Sequence, residues 1–542
     1  MAHDVRPLIA VADAVGLDIG STNVKAVLLD EQFVQVADAS RPLSWTRSGT
    51  VAEQDPRALW QAVVDALADL GRAAAGCGDR AGLERVATVG LCGQYSSIVP
   101  VDAQVRPVGP MRLYLDTRGT GHCLAILGRD PDAFATWLER HPVPPVGGGL
   151  ALGHLLAFQL DEPAVHAVTA AYLEPVDFVT ASLTGTITAT QGSVFAGQLV
   201  DNRTLGATTY DADLVRLAGV DATRLPPLVA PDAAVGTVLA EVAAITGLPT
   251  TAVVRAGTTD TQAAALATGV AGGASGFRAP PGRLGVAIGT TAVVLASTDR
   301  LAVDLEHEVL SMPGVSRERW LVWAENGLAG RAVEAVLDRL VHPDDALGRH
   351  RPVGDADLFH GFDEALASSS PGAGGVLFLP WLSGSLAPQA DPAMRGGFVG
   401  LSLDSRRVDL VRAAAEGVAH NLRWLLTPVE AFVGETCDEV VLVGGASQSP
   451  AWCQVVADVL ARPVRTVAGA GHAGARAVAA WAADPAGDAG SGGSADGPSD
   501  GNRWGDRYEP DHRTDPVHAA AHLQFVAAFE ALRPLGLGHR PD

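Results

Sequence analysis

Residues 17–30 read LDIGSTNVKAVLLD, and this stretch decides the fold class of the chain. Two apolar runs flank the polar turn Gly-Ser-Thr-Asn, a pattern typical of two β-strands joined by a tight hairpin. Glycine and small hydroxyl residues leave the backbone N–H groups of such a turn unobstructed, so the turn can form a concave anion site to which the hydroxyls add donors. The stretch therefore predicts a phosphate-binding hairpin near the start of the chain.

A second stretch, residues 286–299 (VAIGTTAVVLASTD), repeats this pattern about halfway along the chain. Both stretches place a glycine and small hydroxyl residues between two apolar runs. Repetition at this separation predicts duplication of one domain plan. Two such hairpins that face each other across a cleft would hold the phosphates of one nucleotide from both sides. The alternative is that each hairpin is only a turn.

Two charged residues flank the first turn. Lys25, the only lysine of the chain, lies on the second strand, where its ammonium group can reach a phosphate oxygen. Asp18 comes just before the turn, where a carboxylate either caps the turn or holds a cation that bridges phosphates. The alternative for Lys25 is a solvated side chain.

Strand and helix patterns alternate outward from the first hairpin, which predicts an α/β fold. The predicted units are an N-terminal tail (1–14), an N-terminal domain (15–268), a Gly- and Pro-rich connecting loop (269–285), a C-terminal domain (286–483), a disordered Gly/Ser/Asp insertion (484–506), and a terminal helix with a tail (507–542).

The composition excludes several classes of protein. The chain has 542 residues, 47% hydrophobic and 18% charged, which is typical of globular domains. Its 39 basic and 61 acidic residues give a net charge of −22, which disfavours nucleic acid and anionic membranes as partners. The five cysteines are scattered, and no apolar run is long enough to span a membrane. We expect a soluble, cytoplasmic protein that binds small molecules, and a homodimer remains open.

Asp260 is a candidate catalytic base. It follows Gly257-Thr258-Thr259 and precedes TQAAALA, which reads as a helix, so Asp260 is also a candidate N-cap. The positive end of a helix stabilises a carboxylate and keeps it ionised at neutral pH. Phosphoryl transfer from ATP to an alcohol needs such a proton acceptor at the attacking hydroxyl. The residues alone leave both roles open.

Several motifs together resemble the FGGY family of carbohydrate kinases. They are LDIGSTNVKAVLLD (17–30), GLCGQYSSIVPVD (90–102), AGTTDTQAAALATG (256–269), the Gly-Thr-Thr turn at 289–291, GGFVGLSLDSRRVDLVRAAAEG (396–417) and VLVGGASQSPAW (441–452). Within this resemblance, EQDP (53–56), LYLDTRG (113–119) and FLPWLSGSLAP (378–388) are most similar to the xylulokinase branch.

The resemblance implies two actin-like (ribonuclease H-like) domains with ATP and a sugar in the cleft between them. It implies that Asp260 is the catalytic base and that Asp18 holds Mg²⁺. The residues that the resemblance assigns to ATP are Ser21, Thr22, Asn23, Lys25, Gly289, Thr290, Thr291, Gly444, Gly445 and Ala446.

The sugar contacts follow from the same resemblance, which assigns them to Gln94, Tyr95, Ser96, Asp260 and Thr261. The xylulokinase branch usually carries Gln-Met-His where this chain has Gln-Tyr-Ser. The implied activity is transfer of the γ-phosphate of ATP to a hydroxyl of a small sugar, foremost a ketopentose such as xylulose. The alternatives are a kinase of the same family for glycerol, ribulose or a sugar acid, and an actin-like ATPase without a sugar substrate.

Overall fold

The structure, a computed structural model, describes residues 13–77, 82–130, 132–271, 282–342, 361–483 and 503–538, together with positions 344–345, 348–349 and 359. Most of the predicted tail, residues 272–281 of the predicted connecting loop, and the predicted insertion up to residue 502 lie outside this set. None of the helices in the described ranges is long and apolar enough to cross a membrane. Two α/β domains form around separate cores, as the alternating patterns predict.

The elements of the N-terminal domain are β1 (Asp13–Ile19), β2 (Asn23–Leu29), β3 (Gln35–Pro42), β4 (Thr46–Ser48), β5 (Val51–Gln54), α1 (Pro56–Ala75), β6 (Val86–Gly93), β7 (Val99–Val101), β8 (Met111–Arg112), α2 (Thr120–Arg129), α3 (Ala133–Arg140), α4 (Ala151–Asp161), α5 (Pro163–Val168), β9 (Ala171–Leu173), α6 (Pro175–Thr184), β10 (Ala189–Thr190), α7 (Ala212–Ala218), β11 (Leu228–Val229), β12 (Ala234–Thr237), α8 (Ala240–Thr246), β13 (Val253–Arg255), β14 (Thr258–Thr259) and α9 (Asp260–Thr268). The main sheet has the order β12-β13-β6-β1-β2-β3, and β14 also pairs with β6. β1 and β2 form the predicted hairpin, and β1 runs parallel to β6.

The elements of the C-terminal domain are β15 (Arg283–Ile288), β16 (Thr291–Thr298), β17 (Val303–Asp304), β18 (Val309–Pro313), β19 (Trp320–Leu328), α10 (Gly330–Val336), β20 (Asp344–Asp345), β21 (Gly348–Arg349), α11 (Phe362–Ala367), β22 (Leu377–Leu379), β23 (Gly397–Val399), α12 (Arg407–Val433), β24 (Glu439–Val443), α13 (Pro450–Leu460), β25 (Val464–Val467), α14 (Ala473–Ala483), β26 (Trp504–Tyr508) and α15 (Asp515–Leu532). The main sheet has the order β17-β18-β19-β16-β15-β24-β25-β26. β15 pairs antiparallel with β16 and parallel with β24, so the repeated sequence forms the same substructure as β1, β2 and β6.

Two helices cross between the domains. α14 packs on β1 and β6 of the N-terminal sheet, and α9 packs on β15 and β24 of the C-terminal sheet. The close approach of α14 requires glycine: a Cβ on Gly16 would lie 1.9 Å from the carbonyl oxygen of Ala475, and a Cβ on Gly90 would lie 2.1 Å from that of Val478. The sequence analysis places residues 286–483 in one domain, whereas the last helix of that range packs against the other domain.

The predicted disordered insertion is too long at its C-terminal end. Residues 504–506 belong to β26, which pairs antiparallel with β25. The guanidinium groups of Arg283 and Arg503 lie 5.0 and 4.9 Å from the centre of the Trp504 ring. Ladder hydrogen bonds and cation–π contacts therefore order a segment whose composition resembles that of a linker.

Candidate active site

The first hairpin places Asp18 and Lys25 side by side. They are directly opposed in the β1–β2 register, and Asp18 also lies beside Cys92 of β6. Burial raises the pKa of Asp18, while the positive charge of Lys25 acts in the opposite direction. Lys25 Nζ donates a hydrogen bond of 2.8 Å to the carbonyl oxygen of Gly471. The lone lysine thus links the hairpin to the segment that leads into α14.

The turn of the first hairpin is held by its carbonyl groups. The N–H of Gly20 donates to the carbonyl oxygen of Asn23 (3.0 Å), and the carbonyl oxygen of Ser21 accepts from the Gln54 amide (3.0 Å). Thr22 is exposed, and its hydroxyl accepts a hydrogen bond of 3.3 Å from the Asn23 amide. The turn is therefore fixed by contacts on its carbonyl side, with the Thr22 side chain open to solvent.

The second hairpin is anchored by the start of α10. The N–H of Gly330 donates to the carbonyl oxygen of Gly289 (2.9 Å), and the N–H of Ala329 donates to that of Thr290 (3.1 Å). Gly289 and Thr290 are both exposed. The hairpin tip is consequently rigid on the side of its carbonyls and accessible to a ligand.

The third predicted nucleotide segment, residues 444–446, follows β24 and lies against the second hairpin. Gly444 has φ 98°, and a Cβ at this position would lie 2.4 Å from the carbonyl oxygen of Ile288. Only glycine combines this conformation with this close approach. A Cβ on Gly445 would meet nothing within 4 Å, whereas Ala446 is buried in the C-terminal core. Gly445 is thus the most open member of the segment.

Asp260 is the first residue of α9, and the N-cap is Thr259, so the prediction of Asp260 as N-cap is wrong by one residue. Thr259 Oγ1 accepts a hydrogen bond from the N–H of Gln262 (3.3 Å), and Gln262 Oε1 accepts one from the N–H of Thr259 (3.0 Å). This reciprocal pair is a capping box. Asp260 is therefore not the N-cap; its exposed carboxylate accepts a hydrogen bond from the N–H of the next residue, Thr261, at 2.7 Å.

The Asp260 side chain is accessible to solvent, yet the surrounding protein displaces much of the water near its carboxylate. This desolvation, together with the negative charge of Asp18, raises its pKa to about 6. Thr261 acts in the opposite direction, because its N–H donates to Asp260 Oδ1 at 2.7 Å. Asp260 is therefore mainly ionised at pH 7, yet its pKa is close enough to neutrality for proton transfer.

The predicted sugar residues divide into two groups. Tyr95 is half-buried, and its pKa is raised by burial and by the charges of Glu174, Glu325 and Asp260, which places its ring near the base. Ser96 is buried instead, with φ 61°, and its hydroxyl donates to the carbonyl oxygen of Gly149 (2.9 Å). The structure thus brings Tyr95 to the cleft and commits the Ser96 hydroxyl to a loop of its own domain.

Gln94, the residue before Tyr95, is the third predicted sugar residue of this segment. It is buried, its Oε1 accepts from the Ser97 hydroxyl at 3.4 Å, and its Nε2 has no hydrogen-bond partner among the residues that the structure describes. Buried amide donors are normally paired. The side chain therefore retains an unused donor next to the predicted sugar residues.

Two residues of this region were missed by the sequence analysis. Tyr114 is 45% exposed, and its pKa is raised by burial and then by the charges of Asp260 and Glu325. Glu325 lies on β19, and burial raises its pKa, while the neighbouring Thr291 hydroxyl acts in the opposite direction. The only local signal for Glu325 is a lone carboxylate in the strand WLVWAENGL, which is apolar apart from Glu325 and Asn326.

Two α/β domains, each opening with a Gly-Ser/Thr hairpin, define an actin-like, nucleotide-binding class of fold. Comparison with known proteins identifies the family within this class. The model of the FGGY N-terminal domain matches residues 14–267, and that of the FGGY C-terminal domain matches residues 284–483. The chain belongs to the FGGY family of carbohydrate kinases, whose substrates are ATP and a sugar.

Individual relatives agree with this assignment. The chain is 29% identical over 479 residues to the xylulose kinase of Escherichia coli (strain K12), covering 87% of this chain and 90% of that protein. It is 26% identical over 449 residues to the xylulose kinase of Bacillus subtilis (strain 168), covering 82% and 83%. The crystal structure of a kinase from Brucella ovis, described as a xyloylose kinase, superimposes with a TM-score of 0.79 at 26% identity, covering 96% of this chain and all of that one.

Proposed function

We propose that this carbohydrate kinase transfers the γ-phosphoryl group of ATP to a hydroxyl of a ketopentose, foremost D-xylulose. The observation that carries the proposal is the Asp260 carboxylate, which is exposed at the start of α9 and has a pKa near 6. The xylulose kinases among the relatives support the choice of acceptor. The products are a sugar phosphate and ADP.

In this mechanism Asp260 acts on the sugar hydroxyl. Its carboxylate accepts the hydroxyl proton as the oxygen attacks the γ-phosphorus, and the bond between that phosphorus and the β–γ bridging oxygen breaks to release ADP. The hydrogen bond from the N–H of Thr261 to Asp260 Oδ1 orients the carboxylate. Position and ionisation of one side chain supply the proton acceptor that the reaction needs.

The nucleotide is proposed to lie between the two hairpins. Ser21, Thr22 and Asn23 would face the phosphates from one domain, and Gly289, Thr290 and Thr291 from the other. Lys25 would add a positive charge at the first hairpin, since an ammonium group with one hydrogen bond to Gly471 retains two further donors. Residues 444–446 would hold the adenosine, through the open backbone at Gly445 and through only the backbone of the buried Ala446.

Asp18 is the proposed Mg²⁺ ligand. Mg²⁺ takes oxygen ligands and is commonly bound by one or two carboxylates together with substrate phosphates. Asp18 fits this role, since its carboxylate lies at the phosphate hairpin and acts electrostatically on Asp260. A Cβ on Gly474 would lie 3.3 Å from Asp18 Oδ2, so the glycine keeps space at this carboxylate. When bound, the cation would neutralise charge on the transferring phosphate.

A coupled assay of ADP release tests the proposal with D-xylulose, D-ribulose, glycerol and D-gluconate as acceptors. We expect kcat/KM for D-xylulose to exceed that for each other acceptor by about tenfold or more, because discrimination reflects differential binding in the transition state. A preference for glycerol, ribulose or gluconate would replace the proposed acceptor. ADP release that no acceptor stimulates would instead favour an actin-like ATPase.

A further inference from the structure

Glu325 is a carboxylate in a strand that is otherwise almost entirely apolar. β19 runs WLVWAENGL, and Glu325 lies near its C-terminal end, beside the second hairpin. It pairs with Val293 of β16, and directly paired residues point to the same face of a sheet. The Val293 side chain packs against the same apolar cluster as Tyr95, so Glu325 lies on the sheet face towards Tyr95. The position therefore places a negative charge next to the reaction cleft.

A β-bulge fixes the direction of Glu325. Val293 pairs with Glu325 and Ala292 pairs with Gly327, so Asn326 is an extra residue on β19. The Asn326 amide donates to the carbonyl oxygens of Ala387 (2.9 Å) and Asn421 (3.1 Å), and the Asn421 amide donates to the carbonyl oxygen of Asn326 (2.8 Å). Bulges beside functional sites re-aim side chains. This one is held by buried hydrogen bonds, so the Glu325 backbone is well fixed.

The neighbours of Glu325 are the groups that surround the proposed acceptor. Its charge acts on Asp260 and on both cleft tyrosines, Tyr95 and Tyr114. The charged groups that raise the pKa values of these three residues are all acidic: Asp18, Glu174, Glu325 and, for the two tyrosines, Asp260 itself. Two phenol groups and several carboxylates favour a ligand that donates hydrogen bonds from hydroxyl groups. They disfavour a ligand that carries its own negative charge.

We propose that Glu325 is a specificity-determining residue that accepts a hydrogen bond from a hydroxyl of an uncharged ketose or polyol and excludes sugar acids. This inference rests on the proposed function, which it narrows by substrate class. An aldonate would place its carboxylate among like charges, whereas a ketopentose of the same chain length offers only hydroxyl and carbonyl groups to them. The acceptor is therefore neutral.

The test compares D-xylulose with D-xylonate, which share a five-carbon chain and differ in charge. Glu325→Gln removes the charge and keeps the shape, and Glu325→Asp retains the charge. Glu318→Gln is the matched control, because Glu318 is exposed and lies just before Trp320, the first residue of β19, far along the strand from Glu325. For each variant, kcat/KM is measured by ADP release, and binding of both compounds is measured by calorimetry in the presence of a non-hydrolysable ATP analogue.

We expect Glu325→Gln to lower the preference for D-xylulose over D-xylonate by about tenfold or more, both in binding and in kcat/KM, since one like charge near the substrate is removed. Glu325→Asp and Glu318→Gln should change this preference by less than about threefold. An unchanged preference in Glu325→Gln, or binding of neither compound by the wild type, would overturn the inference. If the wild type binds D-xylulose with a Glu325-dependent preference but does not phosphorylate it, the proposed function fails and the inference stands.

Discussion

Replacing Asp260 by asparagine separates the role of a base from that of a structural residue. Asparagine is nearly isosteric, and its Oδ1 can still accept the hydrogen bond that the N–H of Thr261 now donates at 2.7 Å. It cannot accept the hydroxyl proton. We therefore expect sugar-dependent turnover to fall by roughly 10² or more, the usual scale for a general base. Binding of sugar and ATP should survive, because the lost interaction belongs mainly to the transition state.

The stability of the variant follows from the pKa of Asp260. A carboxyl group whose pKa is raised from 3.8 to about 6 is ionised at pH 7 at a cost to the folded state. That shift would correspond to about 3 kcal/mol for a fully buried group, and solvent screening of the exposed side chain reduces the cost to roughly 1 kcal/mol. The penalty is absent below pH 4 and grows as pH rises through 6. Asp260→Asn should therefore be as stable as the wild type at pH 7, or slightly more stable.

The assays are ADP release for turnover and urea unfolding for stability. Wild-type kcat/KM should fall about tenfold per unit below pH 6, because the base becomes protonated, and the asparagine variant should lose this dependence. The control is Thr259→Ala, which removes the observed N-cap and should cost about 1 kcal/mol while retaining more turnover than Asp260→Asn. If Asp260→Asn keeps more than about a third of wild-type turnover, Asp260 is not the base.

Three other regions give independent predictions. Lys25→Met removes the positive charge beside Asp18 and the hydrogen bond to the Gly471 carbonyl, so in steady-state kinetics KM for ATP should rise or kcat should fall by about tenfold. If KM and kcat are both unchanged, Lys25 does not belong to the site. Gly90→Ala places a methyl group 2.1 Å from the Val478 carbonyl oxygen, so the free energy of unfolding measured in urea should fall by roughly 2 kcal/mol or more. A smaller loss would show that α14 can move away from β6 to make room. A histidine cluster lies between α12 and α15 and consists of the buried His420 and His518 and the half-buried His522. Its pKa values are lowered, to about 4 for His518 and His522, so its neutral form stabilises the fold. Its contribution should be present above pH 6.5 and lost as pH falls towards 4; a melting temperature that is constant between these pH values would contradict this.

Local sequence patterns predict the structure correctly where the residues that contact each other are also close in sequence. Both hairpins form as predicted, because apolar runs around a small polar turn need no distant partner to pair. The position of the N-cap could have been predicted as well. Thr259 and Gln262 fit the capping-box spacing, which is a stronger signal than an aspartate one residue later. That mistake came from the interpretation and not from missing information.

Other features depend on contacts that local sequence does not encode. Glu325 reaches the cleft through a bulge that is fixed by Asn421, a residue of a distant helix. Trp504 follows a stretch of linker composition, and its ordered strand depends on pairing with β25 and on Arg283. A single sequence contains no local trace of such partners, so both features required the structure.

The crossing of α9 and α14 explains how the base can be aligned with the nucleotide site of the opposite domain. α9 packs on β15 and β24, the two strands that lead directly into the second hairpin and into residues 444–446. The contact is close, since a Cβ on Gly285 of β15 would lie 2.5 Å from the Thr268 hydroxyl. Asp260 directly follows β14, which pairs with β6 of the N-terminal sheet, whereas Thr268 at the other end of α9 lies against β15 of the C-terminal sheet. Asp260 and Tyr95 are thus both attached to the end of β6, and α9 connects this sugar-binding side to the strands that carry the second hairpin and residues 444–446. A movement of one domain against the other would therefore be transmitted to the base through α9.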